Sequence, residues 1–355
     1  MKWTFDLLPI IFSCLLFNLG TTTTDPDCPY VYTSEDRRTN KDALRIVQYN
    51  TEWLFLDYYA NADCPGNGCP WKNQSMAETH FTNVQQIISD LNPDIINLCE
   101  IECCDELNEL VENIEDNTYK PYVKQGTDTS TGQNVGILTR IDPTTDLART
   151  ETRVNYPIPG SKCGYTGSPG SSGVSKHYIT EFKIMNSNEN IHLDIVFIGA
   201  HLLAYPTDPS RCVQREAQAQ VLQYVIMKYI QNGFEVIFMG DLNDYDLEVP
   251  DINSHKPISK TLDILKGIEG EYHGEYELTN VAEYIQQSNR YSDWWDSDNN
   301  CNTQSQQDLS MIDHVLVTPL LTNYIDNVFV YHAYEEYCGK MNSDHYPVVI
   351  DLVFE

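Results

Sequence analysis

The chain reads VIFMGDLN at residues 236–243 and SDHYPVVIDLVF at residues 343–354. In each stretch a run rich in apolar and β-branched residues adjoins Asp, Asn or His, which is the pattern of a buried strand with polar side chains at its end. In a sheet protein such strand ends converge on one rim, where loops carry function. The two stretches therefore predict a sheet protein with its chemistry gathered at one rim.

Other apolar runs predict further strands, and longer amphipathic stretches between them predict helices. The predicted strands cover residues 44–49, 95–98, 135–139, 178–184, 192–200, 236–239, 312–317 and 348–354. The predicted helices cover residues 77–91, 105–114 and 211–230, and the predicted loops include residues 161–173 and a polar insertion at 291–307. This pattern excludes a pure β-sandwich and predicts one α/β or α+β domain over residues 43–355.

The start of the chain predicts export. Lys2 precedes an apolar run at residues 7–17 that is too short to cross a bilayer as a mature helix, and together they predict a signal peptide over residues 1–20. Cleavage is expected at residues 20–24, and an uncleaved signal anchor is the alternative. Residues 21–42 predict a polar arm with little structure, and no later stretch is apolar enough to span a membrane. We therefore expect a protein that is secreted, or held in the lumen of the secretory or endolysosomal pathway.

Ten of the 11 cysteines follow the predicted signal peptide. That number is high for a cytosolic protein and ordinary in an oxidising compartment, so we expect disulfide bonds. Cys28 is expected to hold the arm, and Cys64 and Cys69 can close a small loop. The adjacent Cys103 and Cys104 need different partners or stay free. A zinc site is the weaker interpretation, because no paired Cys-x-x-Cys arrangement is present.

The chain is strongly acidic, with 52 acidic and 22 basic residues and a formal net charge of −30. Broad nucleic-acid affinity comes from Lys and Arg that neutralise phosphates, so the composition weakens that function class without excluding a nuclease. A bound divalent cation and a few local basic residues can reverse the potential within one cleft. Asn73 begins an Asn-Gln-Ser glycan acceptor, which agrees with export.

Six segments place a polar side chain at the end of an apolar run. They supply Asn50, Glu100, His201, Asp241 with Asn243, Asp313, and Asp344 with His345. Oxygen ligands from Asn50, Glu100 and Asp344 suit a hard cation such as Mg²⁺, with Mn²⁺ as a substitute. Zinc would require more His or Cys at matching positions.

The order Asn, Glu, Gly-x-His, Gly-Asp-x-Asn, Asp, Ser-Asp-His resembles the endonuclease/exonuclease/phosphatase superfamily. This superfamily includes pancreatic deoxyribonuclease, abasic-site endonucleases, neutral sphingomyelinases and inositol-polyphosphate phosphatases. The resemblance covers residues 43–355 and implies two mixed β-sheets packed face to face with helices on the outer faces, a four-layer sandwich. It also implies hydrolysis of a phosphoester by in-line attack of water, with a metal stabilising the developing charge.

The residue types fit the roles that the resemblance implies. His345 is the predicted general base, because its near-neutral pKa suits removal of a proton from water, and Asp313 would orient its ring. Asp241 and Asn243 would position the nucleophile and a phosphate oxygen. His201 would donate a hydrogen bond or a proton to the phosphate or the leaving group.

Several other residues have secondary roles or structural ones. Glu52 is a candidate for a water-mediated metal contact. Arg140 and Arg215 match family positions, and structural salt bridges explain them equally well. His314 is expected on the opposite face of its strand from Asp313, and is predicted to be structural. The same is expected of His80, His177 and His332.

Substrate selection in such a scaffold depends on loops, and three hypotheses remain open. An extracellular nuclease leads, because export, disulfides and the likeness to deoxyribonuclease agree with it. A sphingomyelinase-like or inositol-phosphatase-like enzyme, acting on a phospholipid or a small molecule, is the second, since an acidic surface repels polyanions. The third is a non-catalytic secreted binding protein, which would not need the complete residue set. No protein partner is inferred.

The loops contain few residues that suggest a substrate platform. These are Trp71, Lys72, Lys162, Lys176 and the pair Trp294–Trp295. The Trp pair can stack a base or insert into lipid, but closing a loop is the favoured role. Calcium ligation is an alternative for the acidic group Asp293, Asp296, Asp298 and Asn299, although a solvated loop is favoured because the EF-hand glycine and terminal Glu are absent.

Overall fold

The structure, a computed structural model, describes residues 27–28, 34–55, 68–298, 300–302, 305–334 and 338–354. The predicted signal peptide, Cys64 and Asn299 lie outside the described residues, as do parts of the predicted arm. Among the helices that are described, none combines the length and the apolar character that a bilayer crossing requires.

Each predicted strand and helix corresponds to an element of the structure. The strands are β1 (Ala43–Leu54), β2 (Ile95–Ile101), β3 (Lys120–Val123), β4 (Asn134–Thr139), β5 (Val154–Tyr156), β6 (Gly170–Ser172), β7 (Lys176–Met185), β8 (His192–His201), β9 (Glu235–Asp241), β10 (Thr279–Asn280), β11 (Asp293–Trp294), β12 (Leu309–Ser310), β13 (Asp313–Val317), β14 (Ile325–Val330) and β15 (Val348–Val353). The α-helices are α1 (Gln74–Leu91), α2 (Cys104–Ile114), α3 (Pro209–Gln231), α4 (Thr261–Leu265) and α5 (Pro319–Thr322), and short 3₁₀ helices cover Val281–Tyr284, Gln287–Asn289 and Gln306–Asp308. The strands that were not predicted are mostly two to four residues long.

Two mixed sheets form the centre of the domain. The six-stranded sheet has the order β14-β15-β1-β2-β4-β3, and the five-stranded sheet has the order β10-β13-β9-β8-β7. Each sheet contains one parallel pair, β1 with β2 and β8 with β9, and the remaining pairs are antiparallel. Each parallel pair is joined by a crossover that contains a helix, as parallel strands require.

The sheets pack face to face and carry helices on their outer faces. Ile46 of the six-stranded sheet and Phe197 of the five-stranded sheet belong to the core between them. Val47, the next residue along β1, points the other way and packs with residues of α1 and α2. Ile198 of β8 likewise packs with Leu222 of α3. This confirms the four-layer sandwich, and it explains why β1 is apolar on both faces.

Side-chain caps define where the two long helices begin. Asn73 precedes α1, and its side chain accepts a hydrogen bond from the backbone N–H of Met76. Asp208 caps α3 in the same way: its side chain accepts a hydrogen bond from the backbone N–H of Arg211, and Pro209 occupies the first turn. Asn and Asp are favoured at this position because they satisfy N–H groups that have no partner within the helix.

Gly240 permits the close approach of β8 and β9. A Cβ atom at this position would lie 1.7 Å from the carbonyl oxygen of Ala200, which is backbone and cannot rotate away. Packing therefore requires the glycine of the Gly-Asp-x-Asn segment, directly before Asp241.

Disulfide bonds are present, as the cysteine content predicts. They join Cys28 to Cys104, Cys163 to Cys212, and Cys301 to Cys338. Cys69 and Cys103 are also disulfide-bonded, so the adjacent Cys103 and Cys104 are both oxidised, and Cys99 is a buried free thiol.

The described residues of the N-terminal arm before β1 contain no helix or strand, but they pack against the domain. Arg38 is almost fully buried; its guanidinium donates to the carbonyls of Ala43 and Met185 and pairs with Asp36. Residue 36 also forms a β-bridge with Ile141. These described residues are therefore held against the domain by backbone and charge contacts that the polar composition of the arm does not reveal.

Candidate active site

The polar residues at the strand ends meet at one edge of the packed sheets. The parallel strands β1 and β2 carry Asn50 and Glu100 to this edge, and β8 and β9 carry His201 and Asp241. Asp313 begins the antiparallel strand β13 and pairs with Asp241 in the ladder. Because β13 runs against β9, its first residue lies where β9 ends.

His345 and Asp313 form a buried dyad. The Nδ1 of His345 lies 2.7 Å from Oδ2 of Asp313, which is fully buried. A carboxylate oxygen only accepts hydrogen bonds, so Nδ1 carries the proton and donates it to Asp313. The other ring nitrogen, Nε2, faces the rest of the site, 3.4 Å from Nδ2 of Asn50 and 3.9 Å from Oδ2 of Asp241.

Asn50 connects the two sheets within the site. Its amide nitrogen donates to Oδ2 of Asp241 at 3.0 Å and lies 3.3 Å from Oε1 of Glu100. Its amide oxygen accepts a hydrogen bond from the N–H of Glu52. The carboxylates of β2 and β9 are thereby brought to one amide group.

His201 faces the same carboxylates from β8. Its Nε2 lies 3.4 Å from Oδ2 of Asp241 and 3.9 Å from Oε1 of Glu100. Burial holds the pKa of His201 well below its usual value, with a further contribution from the positive charge of Lys176. His201 is therefore a neutral ring, and the acceptors around Nε2 place its proton on that nitrogen.

Asn243 and Glu52 complete the edge. The N–H of Asn243 donates to Oδ1 of Asp241, and its side chain donates to the carbonyl of Leu202. Glu52 accepts a hydrogen bond from the N–H of Asp344, so it lies against the predicted metal ligand. Residues 52, 100 and 243 all have left-handed backbone, with φ of 47°, 64° and 50°. Strain of this kind is found preferentially at functional sites.

The site brings several acidic side chains together away from solvent. Burial raises the pKa of Asp241 to about 8, with repulsion from Asp313 adding to it. Burial likewise raises the pKa of Asp344 to about 7 and that of Asp293 to about 6. Burial lowers the pKa of His345, but the surrounding carboxylates, Asp313 foremost, raise it well above its usual value. The carboxylates thus repel one another and attract positive charge.

This donor set fits a hard divalent cation. Ligand atoms of Glu100, His201 and Asp241 lie within 4.8 Å of one another, and so do those of Asp293, Asp344 and His345. Asn50 lies between the two groups and contacts Glu100 and His345 through its amide nitrogen, so its amide must turn over to offer its oxygen to a cation. Carboxylate and amide oxygens are the ligands that Mg²⁺ prefers, and a cation offsets the repulsion that raises these pKa values.

Glu100 is held in place by two donors. The N–H of Trp53 and the side chain of Gln133 donate to its Oε2, the latter at 2.7 Å. Gln133 is in turn bound by Nζ of Lys176, one of the predicted platform residues. The Oε1 atom of Glu100 remains directed towards Asn50 and His201. Trp71, in contrast, is buried and cannot serve as a platform.

The polar insertion at residues 291–307 contributes to the site, contrary to the interpretation of Asp293 as part of a solvated loop. Asp293 is buried, and its Oδ1 lies 3.8 Å from Nε2 of His345. The Trp294 N–H donates to the carbonyl of Asp344, and the Tyr346 N–H donates to that of Ser292. The insertion therefore lies alongside the segment that carries His345, through backbone pairing that leaves no signal in side-chain composition. Trp294 is buried and closes this loop, whereas Trp295 is 61% exposed.

The secondary candidates are structural. Arg215 is fully buried, pairs with Asp244 at 3.2 Å and donates to backbone carbonyls that include that of Pro206. Arg140 pairs with Asp116. The predicted structural histidines bind backbone or packing partners: His314 contacts the Asp244 carbonyl, His80 the Thr51 carbonyl, His177 the Thr150 N–H, and His332 the Tyr291 ring.

Comparisons with known proteins agree with this architecture. A family model described as Endonuclease/Exonuclease/phosphatase family matches residues 48–333. No curated protein matches the sequence. Among solved structures, an AP endonuclease from Archaeoglobus fulgidus is similar, with a TM-score of 0.55 and 13% identity over 88% of this chain and 99% of that one. The APE2 catalytic domain from Xenopus laevis has a TM-score of 0.53 and 16% identity, over 88% of this chain and 93% of the other.

Proposed function

This chain belongs to the endonuclease/exonuclease/phosphatase family, and on that premise we propose that it is a secreted, Mg²⁺-dependent phosphodiesterase that hydrolyses nucleic acid. Family membership makes it a metal-dependent hydrolase of phosphoester bonds. The identity of the ion, the nucleic-acid substrate, the export and the roles of individual residues are the parts that we propose.

One observation carries the proposal. The buried His345–Asp313 dyad directs Nε2 of His345 towards Asn50 and Asp241, beside the carboxylate of Glu100. A base, its orienting carboxylate and a cluster of oxygen donors therefore face one point at the rim. This is the arrangement that a water attack on phosphorus requires.

In the proposed reaction His345 activates the attacking water. Its Nε2 accepts the proton of the water, while the Nδ1 proton remains on the hydrogen bond to Asp313. The Asp313 carboxylate stabilises the imidazolium that forms, as a buried carboxylate does in a hydrolase triad. Asp241 and Asn243 orient the water and one phosphate oxygen, because both lie at the end of β9 next to the dyad.

His201 acts as a hydrogen-bond donor in the proposed reaction. As a neutral ring with its proton on Nε2, it donates a hydrogen bond to a phosphate oxygen or to the leaving group. Burial beside the Asp241 carboxylate fixes the direction of that proton.

Glu100, Asn50 and Asp344 are the residues that would hold Mg²⁺. The bound ion would supply electrostatic stabilisation of the charge on the phosphate and would offset the carboxylates that raise the pKa of His345. Asp293 and Glu52 surround this position from outside the predicted ligand set.

The preference for nucleic acid rests on features next to the site. Lys176 provides positive charge near His201, and the exposed ring of Trp295 offers a stacking surface two residues from Asp293. A phospholipid or an inositol phosphate is the alternative, because Trp295 can also enter lipid and the net charge of −30 opposes polyanions. The disulfide bonds support an oxidising compartment and hence export.

The test is hydrolysis by the purified chain and its His345→Ala variant. Plasmid DNA, RNA, sphingomyelin and a soluble inositol phosphate are each offered with Mg²⁺ and with a chelator. Metal-dependent cleavage of DNA or RNA that is lost in the variant is the expected result. Cleavage of sphingomyelin or the inositol phosphate alone would replace nucleic acid by the alternative substrate, and binding of Mg²⁺ without any cleavage would contradict a phosphodiesterase.

A further inference from the structure

Gln48 lies in β1 directly beneath the dyad. It is two residues before Asn50, so both side chains lie on the same face of the strand. Gln48 is fully buried, and its Nε2 donates to Oδ1 of Asp313 at 3.0 Å. His345 uses the other oxygen, Oδ2. Gln48 therefore binds the half of the carboxylate that His345 leaves unoccupied.

The hydrogen-bonding chemistry determines which way the Gln48 amide points. Because the Asp313 carboxylate only accepts, the amide nitrogen must face it, and the amide oxygen must face the other way. On that other side the Nδ2 of Asn97 donates to the Gln48 oxygen. Asn97 comes from β2 and is also fully buried. The amide of Gln48 is thus fixed by a donor on one side and an acceptor on the other.

Ser292 donates a further hydrogen bond to Asp313. Its hydroxyl accepts from the backbone N–H groups of Ile312 and Asp313, so its single proton is available to donate to Oδ2 of Asp313. Asp313 accordingly accepts hydrogen bonds from Gln48, Ser292 and His345.

From this geometry we infer that Asn97 and Gln48 form a positioning relay for the reaction, in which Gln48 orients the Asp313 carboxylate towards His345. The inference rests on the proposed function, because it assigns Gln48 an effect through His345. Without the Gln48 donor, the buried Oδ1 atom would lose its partner and the carboxylate could rotate away from the imidazole. A buried amide pair that only joins β1 to β2 would have no such effect on the chemical step.

The decisive experiment is a double-mutant cycle between Gln48→Met and His345→Ala. Met has a similar length but cannot donate. We expect Gln48→Met alone to lower kcat about 10- to 100-fold, the range found for residues that orient a reactive group, with KM changed less than about threefold. In the His345→Ala background the same substitution should change the residual rate less than about twofold, because its partner is absent.

Two further variants separate positioning from stability. Thr180→Val is isosteric and removes the hydrogen bond that the buried Thr180 hydroxyl donates to the Thr145 carbonyl. Thr180 lies three strands from Asp313, so the kcat of this variant should equal that of the wild type. Asn97→Leu leaves Gln48 in place but frees its amide, and should lower kcat less than Gln48→Met does. It also provides the test if Gln48→Met does not fold.

The outcomes distinguish the two levels of inference. Equal losses of kcat from Gln48→Met with and without His345 would overturn the relay and leave the proposed function standing. An unchanged kcat in both Gln48→Met and Asn97→Leu would do the same. A wild-type chain that cleaves no phosphodiester would refute the proposed function, and the relay with it.

Discussion

His345 Nδ1 and Asp313 Oδ2 are 2.7 Å apart although the residues are separated by 32 positions in the sequence. Asp313 begins β13 of one sheet, whereas His345 precedes β15 of the other. The dyad therefore exists only because the two sheets pack face to face. The dyad also leads to the first prediction, because it places a proton of His345 on Nδ1, the ring nitrogen that faces Asp313.

Substitution His345→Ala should lower kcat by at least about 100-fold, the typical contribution of a general base. Asp313→Asn should also lower kcat strongly, because an amide can donate to Nδ1 and favour the wrong tautomer. Steady-state hydrolysis of the preferred substrate measures both. His192 provides the matched control, because it is exposed at the start of β8, the end away from His201. A comparable loss of kcat in His192→Ala would contradict a specific role for His345.

Removal of divalent cations should abolish activity, and added Mg²⁺ should restore it. Mg²⁺ should also raise the melting temperature of the wild-type chain, since an ion that binds only the folded state stabilises it. Glu100→Gln should need more Mg²⁺ for half-maximal activity and should show a smaller thermal shift, because a charged ligand is lost. The exposed Glu271 is the control position: if Glu271→Gln behaves as Glu100→Gln does, bulk charge rather than ligation explains the effect.

Gly240→Ala should prevent the normal pairing of β8 and β9. The added Cβ would lie 1.7 Å from the Ala200 carbonyl oxygen, so the strands must separate and move His201 away from Asp241. Gly233→Ala is the comparison, because its Cβ would enter open space and only the positive φ of 84° opposes it, at about 1 kcal/mol. Folded yield and thermal unfolding should show severe loss for Gly240→Ala alone. Similar stabilities of the Gly240→Ala and Gly233→Ala variants would mean that the chain relieves the collision at residue 240, and would contradict the prediction.

Asp246 and Lys266 form a buried ion pair at 2.8 Å, and Asp246→Asn should destabilise the fold at neutral pH. The loss should be smaller than the roughly 3–5 kcal/mol of a buried charge left unpaired, because Glu248 also pairs with Lys266. Burial alone would raise the pKa of Asp246, but Lys266 and hydrogen bonds lower it below its usual value of 3.8. A lowered pKa contributes stability above pH 3.8 that is lost as pH falls through the lower folded value. Urea unfolding should therefore give the wild type a larger free energy of unfolding than Asp246→Asn at pH 7, and this difference should shrink in strong acid. An advantage that persists undiminished in acid would argue against the ion pair.

Expression through a eukaryotic secretory pathway should yield a chain glycosylated at Asn73. This residue is exposed, and its side-chain oxygen caps α1. Ser75→Ala should remove the glycan by destroying the acceptor motif while leaving the cap intact, whereas Asn73→Gln removes both. Intact-mass measurement distinguishes these cases. An unglycosylated wild-type chain in the culture medium would contradict the modification, and a chain retained in the cytosol would contradict export.

The sequence alone predicted most of the scaffold. Long apolar runs such as those of β1, β8 and β9 are strongly patterned, and the polar residue that ends each run marks the rim. The ordered set from Asn50 to His345 therefore identified the edge where the candidate site lies, as well as the family. The number of cysteines likewise predicted that disulfide bonds are present, because that inference needs only the composition and not the identity of the paired residues.

Tertiary structure alone decided which groups meet. Asp293 lies in a polar insertion whose two-residue strand β11 has no detectable period, and only its pairing with β12 and the His345 segment buries it in the site. Gln48 shares a face with Asn50, which the alternation of β1 indicates, but its partner Asp313 comes from the opposite sheet. Periodicity is local and specifies which face a residue occupies, whereas the contact across two sheets depends on how those faces pack.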